Sequence, residues 1–169
     1  MRPGDIAGAH YTPIPPVPMY VPRGKGSFLS VPLMTSVPAV VAGVPNLAIV
    51  TPPAPDGSVD AATLVAARLA GVNTVYKVGG AQAVAAVAYG TETIKPALKI
   101  VGPGSPWVVA AKRLLSGVID TGLPAGPSEA MIFAAATVQG GLAALDLLID
   151  AEHAPDWSPS LVPHCSADA

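Results

Sequence analysis

Short apolar runs separated by glycine- and proline-bearing turns recur along the chain from Tyr20 onward. Residues 47–51, Leu-Ala-Ile-Val-Thr, are stopped by Pro52-Pro53. An unbroken apolar run of that length reads as a strand buried on both faces. Ser58 then stands where a helix cap is expected, and Ala61, Leu64, Val65 and Leu69 share one face at helical spacing. Gly71 follows where that helix should end. The rhythm repeats: a strand over 74–78, a turn at Gly79-Gly80, and an alanine-rich helix over 81–89 closed by Gly90. A strand over 98–101, a turn at Gly102-Pro103-Gly104 and a helix over 107–115 come next. Such alternation predicts an α/β fold, a Rossmann-like parallel sheet with helices on both faces.

The two ends of the chain read differently. Residues 1–19 are rich in proline and predict an extended lead-in outside the core. After Gly126 the texture changes to an apolar run at 130–135, a helix over 142–151 and a short strand at 160–162.

Composition narrows the setting. Hydrophobic residues make up 51% of the 169 positions and charged residues 12%, against roughly 25% charged in an ordinary soluble domain. That shortage predicts surface shaped to pack against something else, either a second copy or other parts of a larger protein. No apolar stretch approaches the ~20 residues that cross a bilayer, and the opening residues lack a signal-peptide core. A net charge of −2 gives no basic field for nucleic acid. Cys165 is the only cysteine, so no internal disulfide forms. The expectation is a cytoplasmic protein with a small-molecule partner, no nucleic acid and no membrane.

Two places carry candidate chemistry. Gly79-Gly80-Ala81-Gln82 and Gly102-Pro103-Gly104-Ser105 fall at predicted strand ends, where ligands of open parallel sheets sit. Each precedes a helix whose first N–H groups suit an anion. Neither matches the G-x-G-x-x-G fingerprint, and ordinary strand–helix turns use the same residue types. Asp150, Glu152, His153 and Asp156 cluster at a helix end. Asp150 and His153, three apart, share a face and suit a carboxylate–imidazole pair on one metal ion. A solvated acidic helix end reads equally well.

Taken in order, Tyr20-Val21-Pro22-Arg23-Gly24-Lys25-Gly26, Gly79-Gly80-Ala81-Gln82-Ala83, Gly102-Pro103-Gly104-Ser105, Ala125-Gly126-Pro127-Ser128-Glu129 and Ala151-Glu152-His153-Ala154-Pro155-Asp156 resemble histidinol dehydrogenase. That family is the NAD-dependent, zinc-containing last enzyme of histidine synthesis, and the resemblance covers about residues 3–162. It implies that Tyr20, Gln82 and Ser105 contact NAD. The family usually has asparagine at the position of Ser105; serine keeps a hydroxyl and loses the amide's second arm. It implies Asp150 and His153 as zinc ligands, Asp150 standing where glutamine is usual, and places Ser128 with them against the amino-alcohol substrate. It further implies a complete α/β domain over 20–128, and over 129–169 a strand–helix–strand fragment and tail of a second α/β domain. Such a fragment has little core of its own and should dock on the first domain or on another copy.

The family's other two zinc ligands and its Glu–His acid–base pair fall downstream of these blocks. His10 in the lead-in and His164 beside Cys165 do not sit in a matching context. The chain is therefore expected to be a partial dehydrogenase with no catalytic residue of its own, inactive alone, and a homo-oligomer. Two alternatives stand beside that reading. One is a piece of a paralogous dehydrogenase for another small alcohol. The other is a non-catalytic or engineered α/β scaffold that self-associates, which apolar residues at Phe133 and Trp157 would suit.

Overall fold

Three apolar runs pair side by side: β1 (Pro18–Tyr20), β2 (Ala48–Thr51) and β3 (Thr74–Lys77) form a parallel sheet in the order β1-β2-β3. The computed structural model describes residues 8–24, 26–126, 129–135, 138–152 and 158–163. Pairing continues past β1 on its other side. Met19 bridges Val101 and Lys99 bridges Asp120, both in parallel. The Tyr20 N–H donates to the Val101 carbonyl at 2.7 Å, and the Asp120 N–H to the Leu98 carbonyl at 2.9 Å. β1 is thus the central strand. The chain builds outward through β2 and β3, then crosses back to the far side of β1, which is the switch of direction that opens a crevice in doubly wound sheets.

Pleating sends alternate side chains to opposite faces, and both faces are covered. Met19, Val21 and Ile49 pack with Val31 of α1 (Ser30–Val41) and Ala67 of α2 (Ala61–Leu69). Tyr20, Val50 and Ile100 pack with Val84 and Val87 of α3 (Gly80–Tyr89) and Val108 of α4 (Pro106–Leu114). Every residue of β1 and β2 is buried, whereas β3 at the edge is only half-buried.

Five local features depart from the sequence reading. The lead-in ends before residue 19: Val17 is buried and Met19 is fully so, because proline is tolerated as the first residue of a strand. α1 had no counterpart in the sequence reading, since Pro32 and Pro38 disfavour a helix. Pro32 falls in the first turn, where no intrahelical N–H bond is lost, and only Pro38 is truly internal. Ser58 does not cap α2. Asp60 does, accepting from the Thr63 N–H at 2.9 Å, while Ser58 bonds Asp56 in a local turn. Finally, α2 buries Thr63, Ala66 and Ala67, leaving Leu64, Val65 and Leu69 exposed. Its small residues let the helix lie close to the sheet. The strand expected over 98–101 is reduced to isolated bridges.

The chain divides after Ala125 into two compact units. In the second, β4 (Met131–Ala134) and β5 (Ser160–Pro163) pair in parallel, joined by α5 (Gly140–Ala151), which packs on both. Ala134 and Ala143 are buried there, while Phe133, Leu142, Leu145 and Leu148 are exposed.

Candidate functional site at the carboxyl ends of the sheet

Tyr20 ends the central strand and is 2% exposed. Its hydroxyl accepts the Gly80 N–H at 3.0 Å and so satisfies one of the orphan donors at the start of α3. Burial pushes the Tyr20 phenol above its ordinary value of 10, and the Gly80 N–H offsets part of that. The hydroxyl is therefore neutral at physiological pH.

Gly80 has φ +71°, and a Cβ there would come within 2.8 Å of Gln82 Oε1. Only glycine permits both the left-handed turn and the Gln82 side chain lying against it. Gln82 is exposed, and its side chain makes no hydrogen bond among the described residues. Gly102, φ +111°, presses directly on the Tyr20 carbonyl oxygen, where any side chain would collide. Its own carbonyl accepts from Lys112 Nζ, and the Gly104 N–H donates to the Ala125 carbonyl at 3.2 Å. Ser105 caps the start of α4 in an extended conformation but makes no side-chain cap bond. A capping serine normally bonds an N–H of the first turn; this hydroxyl is exposed and uncommitted.

Tyr20 thus joins both turns, touching Gly80 with its hydroxyl and Gly102 with its carbonyl. Those contacts bring Tyr20, Gln82 and Ser105 to one rim, at the point where the order of strands reverses. A cleft of about 250 Å³ adjoins it, lined by Arg23, Ser27, Pro52 and Asp60 among others. Asp60 is committed there: Ser27 Oγ donates to it at 2.9 Å and Thr63 Oγ1 at 3.0 Å. These bonds and the Thr63 N–H hold its carboxyl below the usual range.

Of the other predicted site residues, Ser128 and His153 lie outside the described residues, and the Asp150 side chain does too, although α5 carries its backbone in the last turn. Among the described residues, no three His, Cys, Asp or Glu side chains come together to hold a metal. The sequence reading missed Lys112, whose side chain is buried against this rim. Its signal was faint: a lysine one turn beyond Val108 and next to Ala111, on the core-facing side of a helix.

The family model for histidinol dehydrogenase matches residues 1–168. The chain belongs to the histidinol dehydrogenase family. It is 83% identical over 164 residues to a protein of Rhizobium meliloti (strain 1021) named histidinol dehydrogenase homolog, covering 97% of this chain and 36% of that one. It is 54% identical over 167 residues to the histidinol dehydrogenase of a Synechocystis species, covering 99% and 38%. The crystal structure of histidinol dehydrogenase from Elizabethkingia anophelis superposes with a TM-score of 0.82 at 39% identity, covering 92% of this chain and 36% of the other. The chain therefore spans a little over a third of the length of these family members, and the family is one of oxidoreductases of histidine biosynthesis.

Proposed function

We propose that this chain forms the dinucleotide-binding part of an NAD-dependent oxidoreductase acting on histidinol or a related small alcohol. One observation carries the reading. Gln82 and Ser105, both exposed and with side chains that make no hydrogen bond among the described residues, stand on turns pinned to Tyr20 at the switch of the sheet. Uncommitted polar groups converging at such a crevice suit an extended polar ligand. The N-termini of α3 and α4 favour an anionic pyrophosphate. The Gln82 amide and the Ser105 hydroxyl supply donors and acceptors to the cofactor's polar groups. Bound NAD would supply the hydride acceptor. Zinc belongs to the same reading through the family likeness, in which Asp150 and His153 would offer a carboxylate oxygen and an imidazole nitrogen and Ser128 would serve the substrate. Two donors are fewer than the three or four of ordinary zinc sites, so further ligands come from outside this pair. We assign binding to this segment and leave the acid–base step of alcohol oxidation to residues outside it.

A second reading is another small alcohol, since serine at 105 and aspartate at 150 stand where the family usually has asparagine and glutamine. The relatives at 83% and 78% identity, from Rhizobium meliloti and Cereibacter sphaeroides, are named homologs, and those named histidinol dehydrogenase without qualification stand at 54% and below. Self-association fits the exposed apolar side chains of α5 and β4. A cytoplasmic setting fits the single cysteine. Among the described residues no helix is long and apolar enough to cross a membrane.

Titration of the chain with NADH, followed by its fluorescence, tests the binding claim. Saturable binding is expected. Gln82→Ala or Ser105→Ala should each weaken it roughly three- to tenfold, the equivalent of one hydrogen bond of about 1 kcal/mol. Equal affinity in both variants and the parent would rule out this crevice.

A further inference from the structure

Lys112 is the bulkiest of the side chains fully withdrawn from solvent. α4 carries it one turn beyond Val108 and beside Ala111, on the face turned to the sheet. Its ammonium has three N–H groups. Among the described residues they meet one acceptor, the Gly102 carbonyl, and no carboxylate. A buried ammonium without a counter-charge is unfavourable, and burial accordingly pushes the Lys112 pKa down. A methionine would fill the same volume without that cost. Stability of the core alone therefore does not explain a lysine at this position.

Its acceptor does. Gly102 opens the turn that ends at Ser105, and that turn is held at three points: against the Tyr20 carbonyl, by the Gly104 N–H on the Ala125 carbonyl, and by Lys112 on the Gly102 carbonyl. The first is steric and the second is a backbone bond at 3.2 Å. The third is charge-assisted, and such bonds are the stronger kind. Because Lys112 also belongs to α4, it ties the helix to the turn that leads into it. The orientation of Ser105 and of the α4 N-terminus relative to Tyr20 then depends on this contact.

We propose that Lys112 is a positioning residue for dinucleotide binding, its ammonium fixing the Gly102 carbonyl so that the Gly102–Ser105 turn is preset for the cofactor. The inference rests on the dinucleotide reading above. Lys112 itself touches no ligand and acts through the turn.

The test compares the chain with Lys112→Met and Lys112→Arg by thermal melting, amide hydrogen exchange and NADH titration. Lys112→Met should melt within a few degrees of the parent or above it, since it removes a lone buried charge. The Gly104 amide, which is held on the Ala125 carbonyl, should exchange about tenfold faster, with exchange elsewhere unchanged, and NADH affinity should fall about tenfold. Lys112→Arg, which keeps a charged donor, should recover most of both effects. Unchanged exchange at Gly104 in Lys112→Met would overturn the inference. So would a steep fall in melting temperature with faster exchange throughout, which would make Lys112 a purely structural residue. If the parent chain binds no NADH, the dinucleotide reading fails while the exchange comparison still decides whether Lys112 presets the turn.

Discussion

Tyr20 shows how much one side chain can organise. It ends the central strand, is buried among α3 and α4, and uses its hydroxyl to receive the Gly80 N–H from a turn 60 residues away in sequence. Tyr20→Phe keeps the ring and its packing but leaves that N–H without a partner. A fully buried donor left unmade costs about 1–3 kcal/mol; the Gly80 N–H is part-buried, so urea unfolding at neutral pH should show a loss toward the lower end of that range. The phenol also links stability to alkaline pH. Its folded pKa is raised, so the unfolded chain releases the proton first. That contribution is complete below about pH 10 and declines as pH rises through the higher folded value. In Tyr20→Phe this alkaline loss should be absent. A variant that unfolds like the parent at both neutral and alkaline pH would show that the hydroxyl does not hold the α3 turn.

At the scale of elements, α2 illustrates what periodicity shows and what it hides. The positions Ala61, Leu64, Val65 and Leu69 repeat at helical spacing and are all apolar, yet the helix turns Thr63, Ala66 and Ala67 inward. Its rotation is set by Asp60, which caps Thr63 and also receives Ser27 from the loop after β1. That bond spans 33 residues and has no local signature. Asp60→Ala should lower the melting temperature, and Asp60→Asn should restore part of it, because asparagine also caps well. The hydrogen bonds hold the Asp60 pKa below its ordinary 3.8, so its contribution is present above that pH and lost as pH falls through the folded value. A melting temperature unaffected by Asp60→Ala, or a difference that persists at low pH, would contradict this. Strands β2 and β3 and helices α3 and α4 were legible because apolar runs and glycine stops coincide there. α1 was not, since Pro32 and Pro38 mask a helix that tertiary packing enforces. The turns bearing Gln82 and Ser105 were visible as glycine-rich strand ends, but their convergence on Tyr20 was not. It depends on the Gly102–Tyr20 approach and on the return of residues 98–101 to the far side of β1, which only the fold displays.

Across the whole molecule, a low charge content goes with exposed apolar side chains such as Phe133, Leu145 and Leu148. The dinucleotide proposal rests on the turns at the carboxyl ends of the first unit's sheet. The most direct measurement of the central claim is a map of backbone amide shifts in the labelled chain as NAD is added. Shifts concentrated at Val21, Arg23, Gly79–Gln82 and Gly104–Ser105, saturating together with a single affinity, are the predicted result. Shifts absent at saturating NAD, or gathered at the opposite ends of the strands around Asn46 and Thr74, would contradict it.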